Sequence, residues 1–317
     1  MKKVLVTRKL LKENEEKLKE LFDVKLNQND ELYSSDKIKE LSKDCDGILS
    51  AITDKFDEAL INKLSPSVKI IANFAVGFGN IDINAAKKRN IVVTNTPEVL
   101  DDATADIAIL LLLGASRKVL EARRAAEKQD WKWSANFLLG KQMSNKKLGI
   151  LGMGRIGRAV ARRAKGFGMT IHYHNRNRLP KDLEDGAIYH STIKSLFEQS
   201  EFLSINCPAT KETLKLINKE TIGYLPKNPV IANAARGDIV DDDAMVDALK
   251  SKRVFALGID VYNGEPKIHP EYLKLDNIFV LPHLGSATKR TRWDMGYRAT
   301  ENLESFFKTG KAKDQVN

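Results

Sequence analysis

Four short segments carry side chains able to do chemistry, and each follows an apolar run with strand character. Gly152-Met153-Gly154-Arg155-Ile156-Gly157 comes directly after Leu148-Gly149-Ile150-Leu151 and leads into Arg158-Ala159-Val160-Ala161, a helical stretch rich in small residues. In that setting Gly152 permits a tight turn, Gly154 lets the backbone approach a pyrophosphate, and Gly157 lets helix and strand pack closely. The helix start turns free N–H groups toward the anion. The pattern predicts a dinucleotide-binding turn. The other segments are Asn233-Ala234-Ala235-Arg236-Gly237, Asp260-Val261-Tyr262-Asn263-Gly264-Glu265-Pro266 and Pro282-His283-Leu284-Gly285-Ser286-Ala287-Thr288. They offer a guanidinium, a carboxylate and an imidazole at strand ends, where open α/β sheets hold their ligands.

The strand after the glycine turn, Thr170 to Tyr173, ends near the place where a carboxylate would take the ribose hydroxyl of NAD. Asn175 stands there instead, followed by Arg176 and Arg178. A neutral amide beside arginines suits a 2′-phosphate, which a carboxylate would repel. NADP(H) is therefore expected over NAD(H), with NAD(H) still usable and a solvated basic loop as the alternative.

These segments need elements to position them. The 317 residues suggest two domains, and 42% hydrophobic with 30% charged residues excludes a disordered chain. The net charge of +10 is spread along helical stretches, so nucleic acid is not expected as a partner. The longest apolar run, Ile107 to Leu113, is far short of the ~20 residues that span a bilayer, so no membrane is expected either. The start, MKKVLV followed by dense charge, reads as a strand and an amphipathic helix rather than a secretory signal. Cys45 and Cys207 have no metal-ligand spacing, which fits a reducing cytoplasm and no bound metal.

Alternating apolar and charged stretches predict an α/β fold with parallel sheets. Strands are expected at 3–7, 47–50, 69–73 and 91–94, helices at 13–22 and 83–88, and one long helix from Asp102 to about Gln129. The start of that helix, Asp101 to Thr104, should place acceptors against its free N–H groups. Further strands are expected at 147–152, 170–173, 202–206, 229–233, 256–260 and 278–281, and a last helix from Thr288 to about Phe307.

An Arg, a Glu and a His in that order downstream of a dinucleotide turn resemble the D-isomer-specific 2-hydroxyacid dehydrogenase family. Asn73 to Asp82, Asp102-Ala103-Thr104-Ala105-Asp106, Cys207-Pro208 and Val316-Asn317 extend the resemblance over nearly the whole chain. It implies two Rossmann-like doubly wound domains. A flavodoxin-like substrate domain would span 1–99 and 288–317, with a dinucleotide-binding domain, 100–287, inserted in it. A homodimer is the family expectation. Trp131 and Trp133 would lie where dimer contacts reach toward the site, to narrow it or simply to pack.

Reduction of a 2-keto acid needs hydride at the carbonyl carbon and a proton on its oxygen. The resemblance makes His283 the acid, Glu265 the group orienting its ring, and Arg236 the residue that holds the substrate carboxylate. It also implies a substrate loop at Ala75, Val76 and Gly77, whose N–H groups would meet that carboxylate. Thr104, Arg155, Ile156, Cys207, Pro208, Thr213, Ala234, Asp260 and Gly285 fall where the family lines its cofactor; for Asp260 a strand-end cap is the alternative. His174-Asn175-Arg176-Asn177-Arg178 resembles the glyoxylate and hydroxypyruvate reductase branch. Other substrates within the family are 3-phosphoglycerate and bulkier 2-keto acids. A cofactor-gated, corepressor-like binding protein is the alternative from another class.

Overall fold

Parallel strands covered on both faces must be apolar along their whole length. Val4, Leu5 and Val6, then Ile48 and Leu49, then Ile70, Ile71 and Ala72 are all buried. In the computed structural model, which describes all 317 residues, these runs belong to β1 (Lys3–Val6), β3 and β4 of one sheet. The elements there are, in order, β1, α1 (Lys12–Leu21), β2 (Asp23–Leu26), α2 (Ser35–Leu41), β3 (Gly47–Ala51), α3 (Glu58–Lys63), β4 (Ile70–Phe74), α4 (Ile83–Lys88) and β5 (Val92–Thr94). The strand order is β2-β1-β3-β4-β5, every pair parallel. Helix starts are set by short polar side chains: Ser34, Asp57 and Asp82 each accept the N–H three residues on.

A second sheet follows, with α5 (Asp101–Ser116), α6 (Val119–Lys128), β6 (Lys147–Leu151), α7 (Arg155–Lys165), β7 (Thr170–His174), α8 (Lys181–Glu184), β8 (Ile188–Tyr189) and α9 (Ile193–Glu198). It continues through β9 (Phe202–Ile205), α10 (Lys219–Tyr224), β10 (Val230–Asn233), α11 (Asp242–Lys250), β11 (Ala256–Ile259) and β12 (Ile278–Val280). Its order is β12-β11-β10-β9-β6-β7-β8, all parallel. Counted from β6 the strands run outward in both directions, so the order reverses between β6 and β9. That switch point opens a crevice at the strand ends.

Contacts divide the chain into two units, Met1–Leu100 with Ala287–Asn317, and Asp101–Ser286. The last helix, α12 (Lys289–Thr309), belongs to the first unit, where it packs on α1 and β4. Thr288 caps it by accepting from the Thr291 N–H. Beyond it Val316 N–H donates to the Val93 carbonyl at 2.9 Å. No helix is long and apolar enough to cross a membrane.

One expectation needs correction. The long helix from Asp102 to about Gln129 is two helices, broken where Lys118 adopts a left-handed φ of 56°. Its first part is held by the sheet: Ala105, Ala108, Leu111 and Leu112 are buried, and a Cβ on Gly114 would fall 2.6 Å from Phe279. α6 buries no residue, so nothing keeps it on the same axis. Asp102 takes Arg162 at 2.7 Å and Arg163 at 3.0 Å, fastening α5 to α7.

Candidate active site

Gly152 ends β6 with a φ of 95°, a conformation that disfavours any side chain. A Cβ there would lie 2.5 Å from the Cys207 nitrogen, so the turn after β6 presses on the segment after β9. Gly157 is equally confined, its virtual Cβ 2.2 Å from the Gly152 carbonyl oxygen. Gly154 differs, because a Cβ built on it meets nothing within 4 Å. It begins α7, and no side chain caps that helix. Open space before uncapped N–H groups is what a pyrophosphate requires, so these residues fit a dinucleotide. Arg155 lies 3.5 Å from Asp101, and Ile156 is packed against the core.

Asn175 reaches back to the glycine turn, accepting the Met153 N–H on Oδ1 at 2.6 Å. Arg176 is exposed, and its positive charge is felt by Glu212. Arg178 is already engaged. Its Nε and Nη2 donate to Glu184 at 2.7 and 3.1 Å, while Tyr173 Oη donates to the same carboxylate at 2.7 Å. Those hydrogen bonds hold the Glu184 carboxyl down at about 2. Thr213 Oγ1 donates to the Pro208 carbonyl at 2.7 Å, closing the loop after β9. Cys207 is buried, and desolvation pushes its thiol up to about 11, where it stays protonated. Ala234 packs on the core at the end of β10.

The acid–base residues cluster at the ends of β10, β11 and β12. His283 Nδ1 lies 2.7 Å from Glu265 Oε2. An ionised carboxylate only accepts, so Nδ1 carries the proton and Nε2, with no bond in the protein, is left for a ligand. The second Glu265 oxygen accepts the Tyr262 N–H at 3.1 Å. Burial pushes the Glu265 carboxyl up, but the bond and charge of His283 outweigh it and leave the group below its ordinary value, with Arg236 pulling the same way. Burial draws the Arg236 guanidinium down, against the nearby Glu265 and Asp238. Arg236, Glu265 and His283 therefore lie within one electrostatic neighbourhood.

Backbone braces hold these groups. His283 has a left-handed φ of 57°, uncommon for a residue with a side chain. Asp260, 1% exposed, keeps it there: its oxygens accept the Leu284 and Gly285 N–H groups at 2.7 and 2.8 Å, and its carbonyl accepts the His283 N–H at 2.9 Å. Burial raises the Asp260 carboxyl against those bonds. Asp260 thus caps the His283 turn, one of the two roles its position suggested. Thr104 Oγ1 adds a bond to the Gly285 carbonyl at 3.3 Å. Asn233, fully buried, accepts the Ala235 N–H and donates to the Arg236 carbonyl at 2.8 Å.

In the first unit the Ala75-Val76-Gly77 loop follows β4. Each of its carbonyls is taken from within: Ala75 by the Thr96 N–H at 2.9 Å, Val76 by Asn95 Nδ2 at 2.8 Å, Gly77 by Asn73 Nδ2 at 3.0 Å. The Val76 and Gly77 N–H groups remain for an anion. Asn73, Asn95 and Asn233 escape a reading of the sequence. Their only signal is an asparagine beside a strand end, where one amide can satisfy a donor and an acceptor at once.

The profile of the D-isomer specific 2-hydroxyacid dehydrogenase NAD binding domain matches residues 109–285. The chain is 38% identical over 320 residues to a glyoxylate reductase of Thermococcus litoralis, covering 99% of this chain and 96% of the other. It is 37% identical over 309 residues to a glycerate dehydrogenase of Hyphomicrobium methylovorum, covering 96% of each. Its fold is similar to that of an NADPH-dependent glyoxylate/hydroxypyruvate reductase of Sinorhizobium meliloti solved with NADP and malonate. The TM-score is 0.88 at 33% identity, covering 99% of this chain and 96% of the other.

Proposed function

The chain belongs to the D-isomer-specific 2-hydroxyacid dehydrogenase family, and from that premise we propose that it reduces glyoxylate or hydroxypyruvate to the D-2-hydroxy acid level with NADPH. The observation that carries this reading is the His283–Glu265 pair at 2.7 Å with Arg236 beside it. The curated relatives named for glyoxylate and glycerate give the substrate class. When bound, the nicotinamide supplies the hydride.

The protein's own residues do the rest. Arg236 pairs with the substrate carboxylate and draws electron density toward the carbonyl oxygen. The N–H groups of Val76 and Gly77, with Ala75 shaping their loop, donate to the same kind of anion. His283, protonated on both ring nitrogens for this step, gives the Nε2 proton to the oxygen as negative charge develops there, and Glu265 keeps the ring turned by holding Nδ1–H. Gly154, with the α7 N–H groups of Arg155 and Ile156, would hold the pyrophosphate, and Gly152 and Gly157 keep the turn tight beneath it. Thr104, Cys207, Pro208, Thr213, Ala234, Asp260 and Gly285 shape the walls around the cofactor. Residues 1–99 with 288–317 serve the substrate and 100–287 the cofactor.

Asn175 in place of a carboxylate, and the exposed Arg176, favour NADPH; NADH remains usable. The free, buried Cys45 and Cys207 suit a reducing cytoplasm. A homodimer is the assembly we propose, on the exposed apolar side chains around Trp131 and Trp133.

The test is NADPH consumption with glyoxylate and with hydroxypyruvate, wild type against His283→Ala. Loss of the proton donor should lower kcat by about 10²–10⁴-fold. Equal turnover by the two proteins would remove His283 from its role. No turnover of any 2-keto acid by the wild type would remove the proposed activity.

A further inference from the structure

We propose that Asp242 is a positioning residue for the His283–Glu265 pair, acting through Asn263. The inference rests on the reading of that pair as the proton-donating machinery.

Asp242 lies in the first turn of α11 and contacts neither member of the pair. Its Oδ1 accepts the Tyr272 hydroxyl at 3.0 Å, and its Oδ2 accepts Asn263 Nδ2 at 2.7 Å. Tyr272 is 1% exposed, so its hydroxyl cannot turn to water and fixes the carboxylate from below. Asn263 stands two residues before Glu265 on the loop that leaves β11. Its other bond, to the Val240 carbonyl, is long at 3.4 Å, which leaves Asp242 as the principal anchor.

The anchored segment is the one that sets Glu265. Tyr262 N–H donates to Glu265 Oε1, and Glu265 Oε2 meets His283 Nδ1. The carboxylate therefore has its orientation only while the backbone at Tyr262 stays in place. The peptide that follows, Tyr262–Asn263, is confined by Gly237, where a Cβ would come within 2.2 Å of the Tyr262 carbonyl carbon. The cavity beside it, lined by Asn233, Gly237, Asp242, Tyr262 and Tyr272, is only about 10 Å³. The Asp242 bond ties the Asn263 side chain to α11 and so fixes the loop two residues before Glu265. Arg236 is held separately, by Asn233, so loss of Asp242 falls on Glu265 and not on carboxylate binding.

The experiment is a double-mutant cycle of Asp242→Ala with Glu265→Gln, read as kcat and KM for glyoxylate and NADPH. Asp242→Ala should lower kcat about tenfold with both KM values little changed, as expected for a displaced acid–base partner. In the Glu265→Gln background the same change should cost nothing further. An equal loss in both backgrounds, or an unchanged kcat in a folded variant, would overturn the proposal. Should Asp242→Ala not fold, Asn263→Ala removes the same bond from the loop side and leaves Tyr272 on Asp242; the same non-additivity is required of it. A second readout needs no turnover: the downfield Nδ1 proton of His283, assigned by its loss in His283→Ala, should weaken or shift in Asp242→Ala. A wild type that reduces no 2-keto acid would sink the proposed activity. The proton signal would still decide for or against the positioning role.

Discussion

Arg176 and Arg178 stand two positions apart on one loop, yet their surroundings differ. Arg178 forks onto Glu184, a carboxylate whose side chain is 8% exposed, and lies over the Tyr189 ring at 5.6 Å. Its charge is largely spent within the protein. Arg176 keeps its charge for an anion. A charge-assisted bond is worth about 1.5–3 kcal/mol, so Arg176→Ala should raise the KM for NADPH by about 10- to 100-fold while that for NADH moves little. Arg178→Ala should act mainly on stability, because Glu184 would lose its cation and keep only the Tyr173 hydroxyl; a lowered Tm with near-normal cofactor discrimination is expected. Kinetics with both cofactors and melting curves of both variants separate the two effects. The sequence shows two arginines and an asparagine of the right types. It does not show that Glu184, six residues on, folds back to take one of them, because that depends on a single turn of α8 and on Tyr173 beneath it.

At the scale of elements, apolar runs announce the central strands, since burial on both faces leaves few polar positions. The edges announce themselves less. β2 is a four-residue Asp-Val-Lys-Leu segment on an edge with no fully buried position, and β8 has two residues. The end of α5 at Lys118 has no glycine or proline to mark it; only the absence of burial in α6 explains the break. β7 and β8 also bring together groups distant in sequence. His172 Nδ1 lies 2.9 Å from His190 Nε2, and His172 Nε2 is buried without a partner. Desolvation, with the charges of His190 and Lys147, drives His172 down to about 4. An unfolded histidine titrates near ~6.5, so between those values the unfolded chain binds the extra proton and the native chain does not. This stability is therefore complete above the unfolded value and is lost as pH falls toward about 4. His172→Gln should flatten the fall in Tm between neutral and mildly acid buffer. Parallel melting curves for wild type and variant would assign the acid sensitivity elsewhere.

For the molecule as a whole, each unit closes its own core, and the first needs both ends of the chain to do so, with α12 lying on β4 and α1. One stretch of the second unit stays uncovered. Trp131 is 52% exposed, Trp133 82% and Leu139 61%, and neighbouring α6 buries nothing despite an apolar stripe. Trp131 finds only its own Phe137, stacked at 5.9 Å. Leaving large apolar side chains in water forgoes about 1.5–3 kcal/mol each, and so many in one stretch mark an interaction surface rather than scattered exposure. The occupant we propose is a second copy of this chain, because a two-fold interface sets one patch against itself and covers both at once. Light scattering at micromolar concentration should give twice the chain mass for the wild type. Trp133→Ser with Leu139→Ser should move it toward the monomer and remove the dependence of Tm on protein concentration. A wild type that scatters as a monomer across that range would mean the exposed tryptophans face water or a different partner.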